Sequence, residues 1–178
     1  ISGKNSYTYN STAQGPTETT KRGSTATATI SYSGTGSTTY GPSATKPTNI
    51  GTYTAIASLA ADANFTSATS ANFDFSIDKI PSTIEVTGLT SYTYNANGQG
   101  PITSNVTGST ATPTYSYKGT GSTTYGPSTT KPTAVGTYEV ESSVAADETY
   151  LDATSRAYSF NIVKANSTIT VIGNTTYT

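Results

Sequence analysis

Apolar and polar side chains alternate along several short stretches of the chain with a period of two. Tyr53, Ala55, Ala57, Leu59 and Ala61 alternate with Thr52, Thr54, Ile56, Ser58 and Ala60. Successive side chains of a strand point to opposite faces, so this stretch predicts one long strand with a single inward face. Tyr138, Val140, Ser142, Val144 and Ala146 repeat the pattern. Phe73, Phe75 and Ile77 predict another strand, as do Tyr158, Phe160 and Ile162, while Ile30 and Tyr32 correspond to Tyr115 and Tyr117. Thr83 to Thr87 and Ser91 to Asn95 read as two more. No window carries an apolar stripe at helical spacing over three turns. Gly34-Thr35-Gly36 and Gly41-Pro42 fall where the chain must reverse, since glycine reaches positive φ at little cost. Short strands at this spacing, within about 85 residues, predict an all-β fold, a two-sheet sandwich with Greek-key links.

The pattern occurs twice. Gly34-Thr35-Gly36-Ser37-Thr38-Thr39-Tyr40-Gly41-Pro42-Ser43 returns letter for letter at Gly119 to Ser128, and the whole chain superimposes on itself after a shift of 85 positions without a gap. Such self-similarity marks a repeat architecture. Residues 1–80 form the first repeat, 81–165 the second, and 166–178 the start of a third, with its first strand or strands. The match runs on through Gly173, Tyr177 and Thr178, which correspond to Gly88, Tyr92 and Thr93. The chain reads as a piece of a longer array. No positively charged start and apolar run precedes it, which says nothing about export. Near-identical modules in series make length more readily than they make one active site.

Composition narrows the class. Cys, His, Met and Trp are absent, Thr and Ser exceed a third of the chain, and 16 Gly and 8 Pro punctuate the turns. Low apolar content would suit disorder, but the regular Tyr, Val, Ile and Phe spacing argues against it. The net charge is −1, without a basic run, which argues against nucleic acid or an anionic membrane as partner. No apolar stretch approaches the length of a membrane span. Without Cys, the disulfide framework common in small secreted domains is excluded.

The sandwich has an immunoglobulin-like signature. Gly51-Thr52-Tyr53 and Gly136-Thr137-Tyr138 open the longest strand. Immunoglobulin-like domains often place there a Tyr whose hydroxyl bonds back to the preceding corner. Two residues on, where an antibody domain has Cys, stand Ala55 and Val140, so packing must close the core. The succession Tyr-Thr-Tyr-Asn (7–10, 92–95), Gln-Gly-Pro (14–16, 99–101), Tyr-Gly-Pro (40–42, 125–127), Lys-Pro-Thr (46–48, 131–133), Gly-Thr-Tyr and Ala-Ala-Asp (60–62, 145–147) resembles the MBG repeat, Tyr-Gly-Xaa type. The resemblance covers essentially the whole chain. It implies tandem immunoglobulin-like sandwiches in a very large bacterial cell-surface protein, such as the adhesins of gliding Bacteroidetes. It also implies an extracellular stalk or adhesive filament, and it brings no catalytic residues.

Candidate chemistry is thin. Without His, no Ser-His-Asp or Cys-His arrangement exists, and without His and Cys a zinc site would need carboxylates alone. Gly34-Thr35-Gly36 is a lone G-x-G and reads as a turn, not a phosphate cradle. No catalytic residue is expected. Calcium stiffening would draw on Asp62 with Asn64, on Asp147 with Glu148 and Asp152, or on Asp78 and Glu85, yet calcium needs six or more oxygens. An isopeptide would draw on Lys46 and Lys131 or on Lys79 and Lys164, without an evident buried acid. Tyr40 and Tyr125, in a Gly-flanked Thr-rich loop, are the candidate ligand-binding aromatics; the bland reading packs each ring over the end of the sandwich. The expected partners are neighbouring repeats of the same chain and, for adhesion, an extracellular polysaccharide or solid surface. The chain itself is expected to be a monomer. The alternative function is a lectin-like module recognising surface glycans. Strands near ten residues, at about 3.3 Å each, predict modules roughly 35 to 40 Å long, joined by short linkers that Pro81 stiffens.

Overall fold

A computed structural model of the chain describes residues 1–17 and 19–173. The expected continuation of the third repeat through Tyr177 and Thr178 lies outside the described residues. The protein is all-β, with no helix among the described residues. It divides into two compact units, Ile1–Pro81 with Asp147–Leu151 and Ser82–Ala146 with Asp152–Thr178.

The first unit holds β1 (Ser6–Thr8), β2 (Thr29–Gly34), β3 (Gly51–Leu59), β4 (Ala68–Thr69) and β5 (Phe73–Asp78). They form one sheet in the order β1-β5-β3-β2, with β4 beside β3. β2, β4 and β5 pair antiparallel with β3, whereas β1 joins β5 in parallel through Ser6↔Ser76 to Thr8↔Asp78. The predicted inward residues build the core: Tyr32, Tyr53, Ala55, Phe75 and Ile77. Tyr53 stacks on Phe75 at 5.4 Å between ring centroids, and Tyr7 and Tyr32 meet the same ring edge-on. β3 stops at Leu59. Ala61, predicted to continue its inward face, is therefore exposed, as is Ala146 in the second repeat. The turn that follows, held by Asp62, is what ends the strand.

The second unit repeats this sheet and adds a layer. Its strands are β6 (Thr83–Thr87), β7 (Ser91–Thr93), β8 (Thr103–Thr107), β9 (Thr114–Gly119), β10 (Gly136–Val144), β11 (Ala153–Thr154) and β12 (Tyr158–Val163). One sheet runs β11-β10-β12-β7 with β9 beside β10, and the parallel pair is now β7 with β12. β6 and β8 form a separate antiparallel pair. β6 packs on β10 and β11 and buries Ile84 and Val86. Val86 joins Tyr117, Tyr138, Val140, Phe160 and Ile162 in one buried cluster, which makes a sandwich core. Between the layers, Ser104 donates its hydroxyl hydrogen bond to Ser142 or Tyr115, each 3.0 Å away, so the buried hydroxyls are partnered.

In the first unit Ile1 packs against the core and Ser2 makes a β-bridge, but no second pair of strands forms among the described residues. Ile1 stands at the register position of Val86. Residues 19–22, which correspond to 104–107, form no strand. A strand edge without a partner leaves its N–H and C=O groups unpaired, so the segment gains nothing from strand conformation. The expected two-sheet sandwich is thus complete in the second unit and reduced to one sheet in the first.

Candidate functional site

Tyr40 and Tyr125 occupy identical settings in the two units. The loop after β2 folds back on it: Gly34 N–H donates to the Tyr40 carbonyl at 2.8 Å, and Tyr32 and Ser43 exchange both backbone bonds. Gly41 makes the return possible. Its φ is 64°, and a Cβ there would lie 2.2 Å from the Tyr32 carbonyl oxygen. The Tyr40 ring is half-buried and meets Tyr53 edge-on at 5.8 Å, while its hydroxyl donates to the Thr45 carbonyl at 2.7 Å. Tyr125 meets Tyr138 at 5.9 Å and donates to the Thr130 carbonyl at 2.6 Å. Ring and hydroxyl therefore both serve the loop and the core beneath it.

The other recurring motifs are spent in the same way. Tyr53 donates to the Asn49 carbonyl at 2.6 Å and Tyr138 to the Ala134 carbonyl at 2.8 Å, which ties each long strand to the corner before it. In Gln-Gly-Pro, the Gln14 side chain donates to the Thr8 carbonyl, its backbone N–H donates to the Pro47 carbonyl of Lys-Pro-Thr, and the Pro16 carbonyl accepts the Tyr32 hydroxyl at 2.5 Å. Pro101 and Tyr117 repeat that bond. Burial pushes the Tyr117 phenol up to about 12, with smaller contributions from Tyr115, Tyr92 and Tyr125.

The acids named as calcium candidates serve turns. The Asp62 carboxylate accepts N–H bonds from Thr25, Asn64 and Phe65 at 2.9 to 3.0 Å. The Ser24 hydroxyl and then these N–H groups lower its pKa from 3.8 to about 2. One Asp147 oxygen accepts from Thr149 and Tyr150 N–H. Asp78 accepts from the Ser6 hydroxyl. No three acidic side chains converge among the described residues. Of the lysines named for a crosslink, Lys79 donates its ammonium to the Asp147 carbonyl.

One surface feature escaped the sequence. In the first unit a shallow open trough is lined by Thr35, Thr52, Tyr53, Asp74 and Phe75. In the second, Thr120, Thr137, Tyr138, Ser159 and Phe160 line its counterpart. Both put Thr hydroxyls on the open face of the sheet, while the Tyr and Phe rings are buried in the core, 1% and 4% exposed. The signal was present in Thr52 and Thr137, polar residues beside the buried Tyr, but only the sheet brings Thr35 and Thr120 next to them. Their order in the chain gives no hint of it.

Fold and site together define an all-β repeat whose recurring residues are engaged in its own turns and core. No protein-family model, curated protein or solved structure matches the chain.

Proposed function

We propose that the chain is a structural and adhesive repeat segment of a large bacterial cell-surface protein. In this reading, immunoglobulin-like modules of the MBG type, Tyr-Gly-Xaa form, build an extracellular stalk or filament that projects, or contributes to, surface adhesion, gliding included. One observation carries it: the residues that recur most faithfully close turns, cap the long strand and fill the core. Tyr53, Tyr40, Gly41, Gln14 and Pro16 all bond or pack within their own unit. Selection for a module that holds its shape repeats such residues; selection for one catalytic centre does not. No residue is assigned a role in turnover.

A lectin-like module is the second reading, favoured by the trough that recurs at equivalent positions. Hydroxyls recurring on an open sheet face offer hydrogen bonds to a sugar. Binding of the 178-residue chain to a broad glycan array, and to glass and polystyrene, with and without calcium, separates the two. Glycan binding no higher than a scrambled control is the outcome for a projecting module. Saturable binding competed by one glycan class would replace that reading with the lectin-like one.

A further inference from the structure

The segment between β7 and β8 carries the chain's single Asn-Gly pair, Asn97-Gly98. Residues 95–98 are exposed and bend between two fixed points. On one side the Tyr94 N–H donates to the Val163 carbonyl at 2.9 Å. On the other the Gln99 N–H donates to the Pro132 carbonyl at 2.9 Å, and the Gln99 side chain donates to the Thr93 carbonyl at 2.8 Å. Within the bend Ala96 takes a positive φ of 65°, and the Asn95 carboxamide oxygen accepts the Asn97 N–H at 3.0 Å.

Two groups in this bend are poorly held. The Gly98 N–H has no hydrogen-bond partner among the described residues. The Asn97 carboxamide donates only to the Asn95 carbonyl, at 3.4 Å, which is long for an N–H···O bond. The two groups are also chain neighbours, so attack of the Gly98 nitrogen on the Asn97 Cγ closes a cyclic imide. A side chain on residue 98 would screen that nitrogen, and glycine has none. The packing favours glycine here. A Cβ on Gly98 would lie 3.1 Å from the Lys131 Cβ and 3.3 Å from the Lys131 carbonyl oxygen. The same close approach that asks for a small residue at 98 therefore leaves Asn97 beside an unscreened amide.

We propose that Asn97 is a self-modification site, which in the folded chain loses its amide through the imide and becomes aspartate and isoaspartate. The Gly98 nitrogen gives its proton to solvent and attacks Cγ. The N–Cγ bond forms, the Cγ–Nδ2 bond breaks, and Nδ2 leaves as ammonia. Water then opens the imide. Opening at the side-chain carbonyl yields aspartate; opening at the main-chain carbonyl yields isoaspartate, whose peptide link runs through Cγ. One water enters and one ammonia leaves, with no change in oxidation state. Isoaspartate lengthens the main chain just before Gln99, so the bonds of Gln99 to Pro132 and Thr93 take the strain. The first unit holds the same bend without the reactive pair. Thr12 and Ala13 stand at the positions of Asn97 and Gly98, Ser11 has a φ of 62°, and the Asn10 side-chain oxygen accepts the Thr12 N–H at 3.0 Å. The two repeats thus differ in chemical durability at one turn. The proposal stands apart from the adhesive reading.

Peptide mapping by electron-transfer mass spectrometry, on the folded 178-residue chain incubated in neutral buffer, tests it. The peptide that contains Asn97 is expected to gain the mass of amide-to-acid exchange with time and to resolve into aspartate and isoaspartate forms. The Asn97→Thr variant copies the turn of the first unit and is expected to fold like the parent and lose this signal. In the isoaspartate fraction, separated by its added negative charge, the Gln99 amide is expected to exchange hydrogen faster than in the unmodified chain. An Asn97 that keeps its amide in the folded chain would overturn the proposal, and a urea-unfolded sample run beside it shows whether the bend is what protects it. Conversion to aspartate alone would also overturn it, because that product bypasses the imide. So would an undiminished isoaspartate yield in the Asn97→Thr chain. A Gln99 amide equally protected in both fractions would contradict the strain assigned to its bonds.

Discussion

A carbonyl oxygen inside a turn decides which residue its neighbour can be. Gly126 sits at φ 63°, and a Cβ there would stand 2.1 Å from the Tyr117 carbonyl, closer than any side chain can approach. Gly126→Ala therefore has to open the bonds between Tyr117 and Ser128. It is expected to lower the stability of the second unit by about 2 kcal/mol or more in urea unfolding, since strain and lost bonds add. Asp62 makes a different demand. Its pKa is lowered from 3.8 to about 2 in the folded chain. A depressed carboxyl stabilises the fold above its unfolded value, and that contribution is lost as pH falls from about 4 toward 2. Melting of the parent should therefore decline through this window, and the Asp62→Ala variant should show a shallower decline. A slope equal to the parent's would remove Asp62 from the account. At this scale the sequence was informative where a residue type has few uses. The Tyr of Gly-Thr-Tyr bonds to its corner as expected. The role of Tyr40 depended on whether Tyr53 lay beneath it, a contact across 13 residues that spacing does not reveal.

Strands form where they find partners, and the two copies of one sequence demonstrate it. Thr103–Thr107 forms a strand paired with β6; residues 19–22 stand at the corresponding positions and form none. The two segments share no residue at corresponding positions, and Lys21 and Arg22 stand where Val106 and Thr107 do, so a weaker apolar face and the missing partner act together. Amide hydrogen exchange should show protection at those amides of residues 103–107 that bond to β6, and fast exchange at residues 19–22. Equal protection in both segments would mean that the first unit has a covering layer after all. The period-two pattern made β3, β5, β10 and β12 legible, because one face of each is apolar. It did not reveal that β1 and β7 pair in parallel with the last strand of their unit. Three-residue strands with one apolar side chain carry no information about direction. Nor did the pattern locate the end of β3, since Ala61 satisfies the alternation and only the turn at Asp62 overrides it.

The chain as a whole repeats one hydrogen-bonding scheme in two units that differ by a layer. The repeat itself was the most legible property of the sequence, because a shift of 85 positions aligns the motifs that later prove to lock the turns. The unequal layers were less legible, since they follow from which partner strands the 178 residues include. A module whose recurring residues all serve its own fold is suited to bearing load, and the central claim is mechanical. Single-molecule force spectroscopy of the 178-residue chain between neutral handles tests it most directly. Two unfolding peaks are expected, the weaker from the unit without the second sheet. Each should release a length set by about 85 residues, roughly 280 to 300 Å when fully extended. Smooth extension without peaks would contradict the claim that these repeats are load-bearing modules.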